Sequence, residues 1–126
     1  MFVNCYSLQS VPLFNTIKVS NMSNMFVNCY SLNFIPAFIT TAATTDFTTF
    51  ANGCTSINRI LMSFNRTVAL QNCQLSKDAL VEIFTNLTDR TATTSATIDI
   101  TGNWGASALT ASNRAIATNK NYIIKG

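Results

Sequence analysis

The most reactive side chains in this sequence are four cysteines, Cys5, Cys29, Cys54 and Cys73. Thiolates act as nucleophiles and zinc ligands, and thiol pairs form disulfides, so three kinds of chemistry are open to them. The first three cysteines fall at one position of a sequence repeat, and stacked repeats place equivalent residues side by side. A buried column of small apolar thiols therefore explains their spacing. Zinc sites favour Cys-x-x-Cys pairs, which the chain lacks, whereas disulfides between neighbouring repeats remain an alternative.

Carboxylates are scarce, and no histidine is present to serve as a general base. The five acidic residues are Asp46, Asp78, Glu82, Asp89 and Asp99. Asp78 and Glu82 are one helical turn apart on the polar face of an amphipathic helix, whereas a catalytic pair usually comes from different elements that line one cleft. An enzyme would need a cleft that gathers Asp99, Arg59 and a cysteine. We therefore predict a non-enzyme without catalytic, cofactor-binding or metal-binding residues.

The composition excludes further classes of function. Only 10% of the 126 residues are charged, the net charge is +3, and Thr, Asn and Ser supply about a third of the chain. The basic residues are scattered from Lys18 to Lys125, which argues against a nucleic-acid partner. The longest apolar stretch, near Phe34 to Ala43, is interrupted by Pro36 and is too short to span a bilayer. No signal peptide is seen, and the three glycosylation sequons, at Asn21, Asn65 and Asn86, are about the number expected by chance.

An internal repeat organises the first half of the chain. Residues 1–8 and 25–32 are identical, which gives a period of 24, and a third copy begins at Phe50 with one glycine inserted before its cysteine. Each copy continues with apolar residues in the spacing Leu-x-x-Leu-x-Leu, which is typical of a short strand with alternate residues pointing inward. Leu32, Ile35 and Ile60 are among these inward positions. We therefore predict that they belong to the core.

After residue 64 the pattern changes to longer units of strand, loop and helix. Ser76 is a good N-cap for a helix that carries Leu80, Ile83 and Phe84 at helical spacing. A second helix is predicted to begin near Thr110, and a last strand runs from Tyr122 to Lys125. In total we expect six parallel strands in one stack, with short helical turns behind the first three and true helices behind the last two.

The element Met-Phe-x-x-Cys-x-Ser-Leu-x-x-Ile-Pro and the later Thr-Ile-x-Ile-Thr-Gly-Asn resemble the BspA-type leucine-rich repeats of bacterial surface proteins and phage proteins. The resemblance implies an α/β solenoid that forms a single domain over 1–126, with 24-residue repeats in 1–64 and longer strand-helix units in 65–126. A solenoid needs its open end covered, and the first seventeen residues carry no charged side chain. We therefore expect the C-terminal part of a longer chain or assembly, with upstream repeats or another subunit on the N-terminal edge.

The resemblance also implies a non-catalytic binding or adhesion module, extracellular on a cell surface or virion, with a protein or cell-surface glycan as partner. The candidate binding face comprises Phe14, Phe34, Phe38, Arg59, Leu61, Gln71 and Asp99. Phe14 and Phe38 either join Phe34 in an exposed apolar stripe or tuck into the core. Trp104 is expected to plug the core of the last unit, with sugar stacking as its alternative. The alternative function is a structural subunit of a phage tail, fibre or filament that self-associates through its repeats.

Overall fold

A computed structural model describes residues 1–41, 44 and 46–126 of the chain. The elements in chain order are strand β1 (Phe34–Ile35), strand β2 (Arg59–Ile60), strand β3 (Val68–Ala69), helix α1 (Lys77–Asn86), strand β4 (Ala96–Asp99), helix α2 (Ala111–Thr118) and strand β5 (Tyr122–Lys125). A short 3-10 helix, Ala106–Ala108, precedes α2. Much of the chain outside these elements forms turns that connect one repeat to the next.

The described strands form two separate parallel sheets. β1 pairs with β2, with Phe34 opposite Arg59, and β4 lies between β3 and β5 in a three-stranded sheet. The predicted α/β solenoid of about six strands is therefore wrong, because the described chain has five strands in sheets of two and three. Two isolated bridges, Asn21 with Asp46 and Phe47 with Val68, lie beside the three-stranded sheet rather than beside β1 and β2.

Two physical causes explain why the strands differ from the prediction. One accounts for the missing strand and the other for the division into two sheets. First, residues 8–14 form no strand, and Pro12 cannot donate a backbone hydrogen bond there; β1 likewise ends directly before Pro36. Second, only seven residues separate Ile60 from Val68, which is too few for a 24-residue unit. The chain therefore crosses to the other sheet after β2. Helix α1 then lies beside β2. In the segments that precede these two elements, Gln74 N donates to Ile57 O at 2.8 Å.

Equivalent backbone segments of the repeats are hydrogen-bonded to one another. The backbone N–H of Phe2 donates to Met25 O at 2.8 Å, and that of Phe26 donates to Phe50 O at 2.9 Å. Asn4 N–H donates to Val27 O at 2.8 Å in the same way. Each N–H thus reaches a carbonyl about one repeat later, so the identical octapeptides lie side by side.

The buried hydrophobic side chains of the described residues form one core, which is rich in aromatic and aliphatic side chains. Leu32, Ile35 and Ile60 are fully buried, which confirms their predicted core positions. Four buried phenylalanines, Phe26, Phe47, Phe50 and Phe64, meet in edge-to-face contacts with ring centroids 5.2–5.9 Å apart. Edge-to-face packing of this kind is a preferred aromatic geometry and adds to the stabilisation from burial alone.

The two helices begin where the sequence predicts. The Ser76 side chain accepts a hydrogen bond from Ala79 N, and the Thr110 side chain caps α2 in a reciprocal capping box with Asn113. At the other end of α1, the Lys120 ammonium donates to the carbonyls of Phe84, at 3.1 Å, and Leu87, at 3.0 Å. A cation at this end also interacts favourably with the helix dipole. Through these bonds Lys120, which follows α2, connects the second helical unit to the first.

Candidate functional site

Three of the four cysteines form the predicted buried column. The thiols of Cys29, Cys54 and Cys73 donate to Phe2 O (2.9 Å), Phe26 O (2.7 Å) and Ala51 O (3.1 Å), each a carbonyl of the preceding repeat. Burial raises the pKa of Cys54 and of Cys73 to about 12. Because the thiolate is the nucleophile and the metal ligand, thiols held neutral in this way favour a structural role.

The fourth cysteine, Cys5, is only half-buried. Across the described ranges no group of three or more His, Cys, Asp or Glu side chains is placed to hold a metal ion.

Arg59 and Asp99, which an enzyme would have to bring together, lie in different sheets. The Arg59 guanidinium makes an exposed two-point ion pair with Glu82, with Nε–Oε2 at 3.0 Å and Nη2–Oε1 at 2.8 Å. Asp99 accepts from Gln71 Nε2 at 2.8 Å and faces Lys125 Nζ at 3.0 Å. Although burial raises the pKa of Asp99, hydrogen bonds from Thr101 and the contact with Lys125 hold it below the usual value. Both charged groups are thus paired within the chain.

The predicted binding face is divided into three groups. Phe34, Arg59 and Leu61 lie at the β1–β2 sheet, where Leu61 N donates to Ile35 O at 3.0 Å. Gln71 and Asp99 lie at the three-stranded sheet and are bonded to each other. The third group is the aromatic pair Phe14 and Phe38. The seven residues therefore do not share one sheet face, because Phe34 and Arg59 belong to one sheet and Asp99 belongs to the other.

The aromatic residues also depart from a single exposed stripe. Phe38 is 3% exposed and stacks on Phe14 with centroids 5.8 Å apart, whereas Phe14 is 36% exposed. The core alternative thus holds for Phe38. Trp104, expected in the core, is instead 63% exposed, and its indole N–H donates to Gln74 O at 3.1 Å. The expectation that Trp104 plugs the last unit is wrong, because most of its side chain is exposed to solvent.

A concave, mainly apolar feature lies beside the second half of the first repeat. A cavity of about 340 Å³ is lined by Met1, Phe14, Asn15, Thr16, Val19, Asn21, Met22, Ser23 and Met25. Eight of the ten large hydrophobic side chains that are exposed in the described chain lie within residues 1–39. Met1 and Phe14 line the cavity and are exposed, and Leu13 and Ile17 are exposed neighbours of Phe14 in the sequence. We name these four residues the N-terminal apolar surface.

The polar side chains of this cavity already have partners within the chain. Thr16 Oγ1 donates to Ile39 O at 2.9 Å, and Asn21 Oδ1 accepts from both the backbone and the hydroxyl of Ser23. Asn15 Oδ1 accepts from Ile17 N at 3.3 Å. The groups left to meet a ligand are therefore mainly apolar.

A second exposed aromatic feature was missed from the sequence. Tyr6 and Tyr30 occupy the same position of successive repeats, and their rings stack 5.0 Å apart at 15°. Both are about half exposed. The signal was available, because identical residues 24 apart in stacked repeats must lie side by side. Their rings cover each other, so one face of each is withdrawn from ligands.

No family model, curated protein or solved structure significantly matches this chain. Neither helix in the described ranges is long and apolar enough to cross a membrane. The case for a function therefore depends on the surfaces of the molecule itself.

Proposed function

We propose that this chain is a non-catalytic binding module that holds a protein partner through the N-terminal apolar surface. The observation that carries this proposal is the concentration of exposed apolar side chains in one short segment, which also contributes Phe14 to the cavity. Leu13 is 66% exposed, Ile17 52% and Phe14 36%, within five consecutive residues. Exposed apolar clusters of this kind are typical of contact surfaces. Following the resemblance to surface-protein repeats, we place the module outside the cell, on a cell surface or virion.

The chemistry of the cavity favours an apolar protein segment over a sugar. Sugar sites combine an open aromatic face with free polar groups, but here Asn15, Thr16 and Asn21 are already hydrogen-bonded within the chain. An apolar side chain that entered the cavity would leave the Thr16 hydroxyl and the amide oxygens of Asn15 and Asn21 with the partners they already have. Covering Leu13 or Phe14 would contribute about 1–2 kcal/mol each, because both are already partly buried.

A random peptide library displayed on yeast tests this proposal while the partner is still unidentified. We expect enrichment of peptides with apolar anchor residues that bind the wild-type protein. Their Kd should rise at least tenfold on Leu13→Ser and stay unchanged on Ile123→Ser, a matched exposed apolar position in β5. Peptides that bind Leu13→Ser as well as wild type, or a glycan array that shows binding where the peptides show none, would contradict it.

A structural subunit that assembles with copies of itself is the second candidate. One observation favours it: among the described residues β5 pairs only with β4, so its outer edge carries unpaired backbone groups, and Ile123 on this strand is 57% exposed. Such an edge is a template for another strand. Sedimentation velocity separates the candidates. Assembly predicts concentration-dependent growth that Ile123→Lys abolishes, whereas a binding module remains a monomer in both forms.

A further inference from the structure

Arg90 is a buried cation without a carboxylate partner. It is 8% exposed, and the ion pairs found within the described ranges join Arg59 to Glu82 and Lys125 to Asp99. Its guanidinium donates to two carbonyls, Asn65 O at 2.5 Å and Thr94 O at 2.8 Å, while its Nε–H has no partner. Buried charges are normally paired or fully hydrogen-bonded, so this arrangement is incomplete.

A second guanidinium converges on the same carbonyl. Arg66 Nη1 donates to Asn65 O at 2.9 Å, so the two donor nitrogens are less than about 6 Å apart. Two like charges at this separation repel each other unless an anion lies between them. The two charges also act on Tyr122. Burial raises the pKa of Tyr122 to about 12, and the positive charges of Arg90 and Arg66 oppose that rise.

A cavity of about 400 Å³ adjoins this pair. Arg66, Arg90 and Asn65 line it together with threonine side chains that include Thr40 and Thr88. The Asn65 amide is oriented by its Nδ2, which donates to Thr41 O at 2.9 Å, and this leaves the buried Oδ1 without a donor. The wall of the cavity thus carries the guanidinium groups of Arg66 and Arg90, the Asn65 Oδ1 without a donor, and threonine hydroxyl groups.

We propose that this cavity binds a small oxyanion that also carries a hydroxyl group, such as the carboxylate end of an acidic sugar. The guanidinium groups match a planar oxyanion, and a ligand hydroxyl or an ordered water supplies the donor that Asn65 Oδ1 lacks.

The ligand carries a single negative charge. Asp89 also lines the cavity, and hydrogen bonds from Thr91 lower its pKa and keep it ionised, so a polyanion would be repelled. This site is separate from the N-terminal apolar surface and does not depend on the proposed function.

Isothermal titration calorimetry at constant ionic strength tests the site with four probes: sodium glucuronate, inorganic sulfate, inorganic phosphate and neutral glucose. We expect saturable millimolar binding of glucuronate and none of glucose. Arg66→Gln should weaken glucuronate binding at least tenfold, while Lys77→Gln, in the first turn of α1, leaves it unchanged. If sulfate or phosphate binds as tightly as glucuronate and is lost in the same variant, the assignment of a singly charged ligand that carries a hydroxyl group is overturned.

Absence of saturable binding by every anion, or an equal Kd in wild type and Arg66→Gln, would overturn the proposal. Arg90→Gln removes the buried guanidinium of the site itself, but it also removes hydrogen bonds to two carbonyls. Binding to this variant is therefore interpreted only if circular dichroism shows that the variant is folded. Arg66 is half-buried and makes one bond to the same carbonyl, so its variant decides the result even if Arg90→Gln unfolds.

Discussion

Gly53 provides a sharp test of how the repeats contact one another. It has a φ of +76°, in the left-handed region, as Asn4 and Asn28 have at the equivalent position of the first two repeats, each with a φ of 58°. A Cβ added to Gly53 would lie 2.5 Å from Asn28 Oδ1. The glycine of the third repeat therefore meets two needs, the left-handed backbone and the space beneath the Asn28 side chain.

The cost of Gly53→Ala follows from these two features. A left-handed backbone costs an alanine about 1–2 kcal/mol. The new methyl group would also displace the Asn28 amide, whose Nδ2 donates to Asn4 Oδ1 at 3.0 Å, and loss of that exposed bond adds about 0.5 kcal/mol. The total of about 2 kcal/mol corresponds to a fall in Tm of about 8 °C for a chain of this length.

Urea unfolding followed by circular dichroism measures this cost in two backgrounds. In the wild type, Gly53→Ala should lower the free energy of unfolding by about 2 kcal/mol. In an Asn28→Gly background the displaced side chain is absent, so the cost should fall to about 1.5 kcal/mol, the part due to φ alone. A cost that is equal in both backgrounds, or that is zero in the wild type, would refute the contact between residues 28 and 53.

Three further outcomes follow from the core, the helix end and the thiols. Ile35→Ala, at a fully buried position, should lower the free energy of unfolding by about 2–5 kcal/mol, measured in urea; an unchanged midpoint would contradict its place in the core. Lys120→Met should lower the free energy of unfolding by about 1–2 kcal/mol, because the Lys120 ammonium donates to the carbonyls of Phe84 and Leu87. It should also increase amide hydrogen exchange in the last turn of α1, and an increase confined to α2 would contradict that role. Iodoacetamide at pH 8 should label Cys54 and Cys73 only after unfolding, and rapid labelling of the folded protein would contradict their burial. The raised pKa values of Cys54 and Cys73 mean that the folded state holds these protons more tightly than the unfolded chain does. The stability from these thiols should therefore be full below about pH 9, where a thiol of the unfolded chain titrates, and should decline as pH rises toward 12. A constant urea midpoint from pH 8 to 11 would contradict this.

Local features of the fold could be predicted because their signals lie within a few residues of sequence. The caps at Ser76 and Thr110 and the strand Tyr122–Lys125 are of this kind, since a side-chain oxygen bonds the backbone three residues later or apolar residues form a short run before the end of the chain. The burial of Leu32, Ile35 and Ile60 was predictable for a related reason, because the repeat fixes which positions point inward.

The arrangement of the strands was not predictable from the same periodicity. Similar apolar patterns at Ile57–Met62 and Val68–Leu70 suggested successive strands of one sheet. Because the segment between them is short, β3 instead belongs to the other sheet, where Val68 pairs with Phe47. Periodicity indicates which side of a strand is buried and carries no information on which strand is its neighbour. The predicted binding face was divided for this reason.

Exposure of aromatic residues depends on tertiary contacts that spacing does not encode. Phe14 and Phe38 share one repeat position, yet Phe38 is buried under both Phe14 and Phe26, while Phe14 stacks on Phe2 and Phe38 and keeps one side open. Trp104 gave no repeat signal at all. The stacked pair Tyr6 and Tyr30, in contrast, follows from the 24-residue period and could have been predicted.

Hydrogen–deuterium exchange on the complex with an enriched peptide tests most directly whether the N-terminal apolar surface is the binding site. We expect binding to slow exchange in the backbone around Leu13, Phe14 and Ile17 and to leave β4 and β5 unchanged. The matched Leu13→Ser protein should show no protection at the same peptide concentration. Protection confined to β5, or spread over the β1–β2 sheet without any at residues 13–17, would contradict the account.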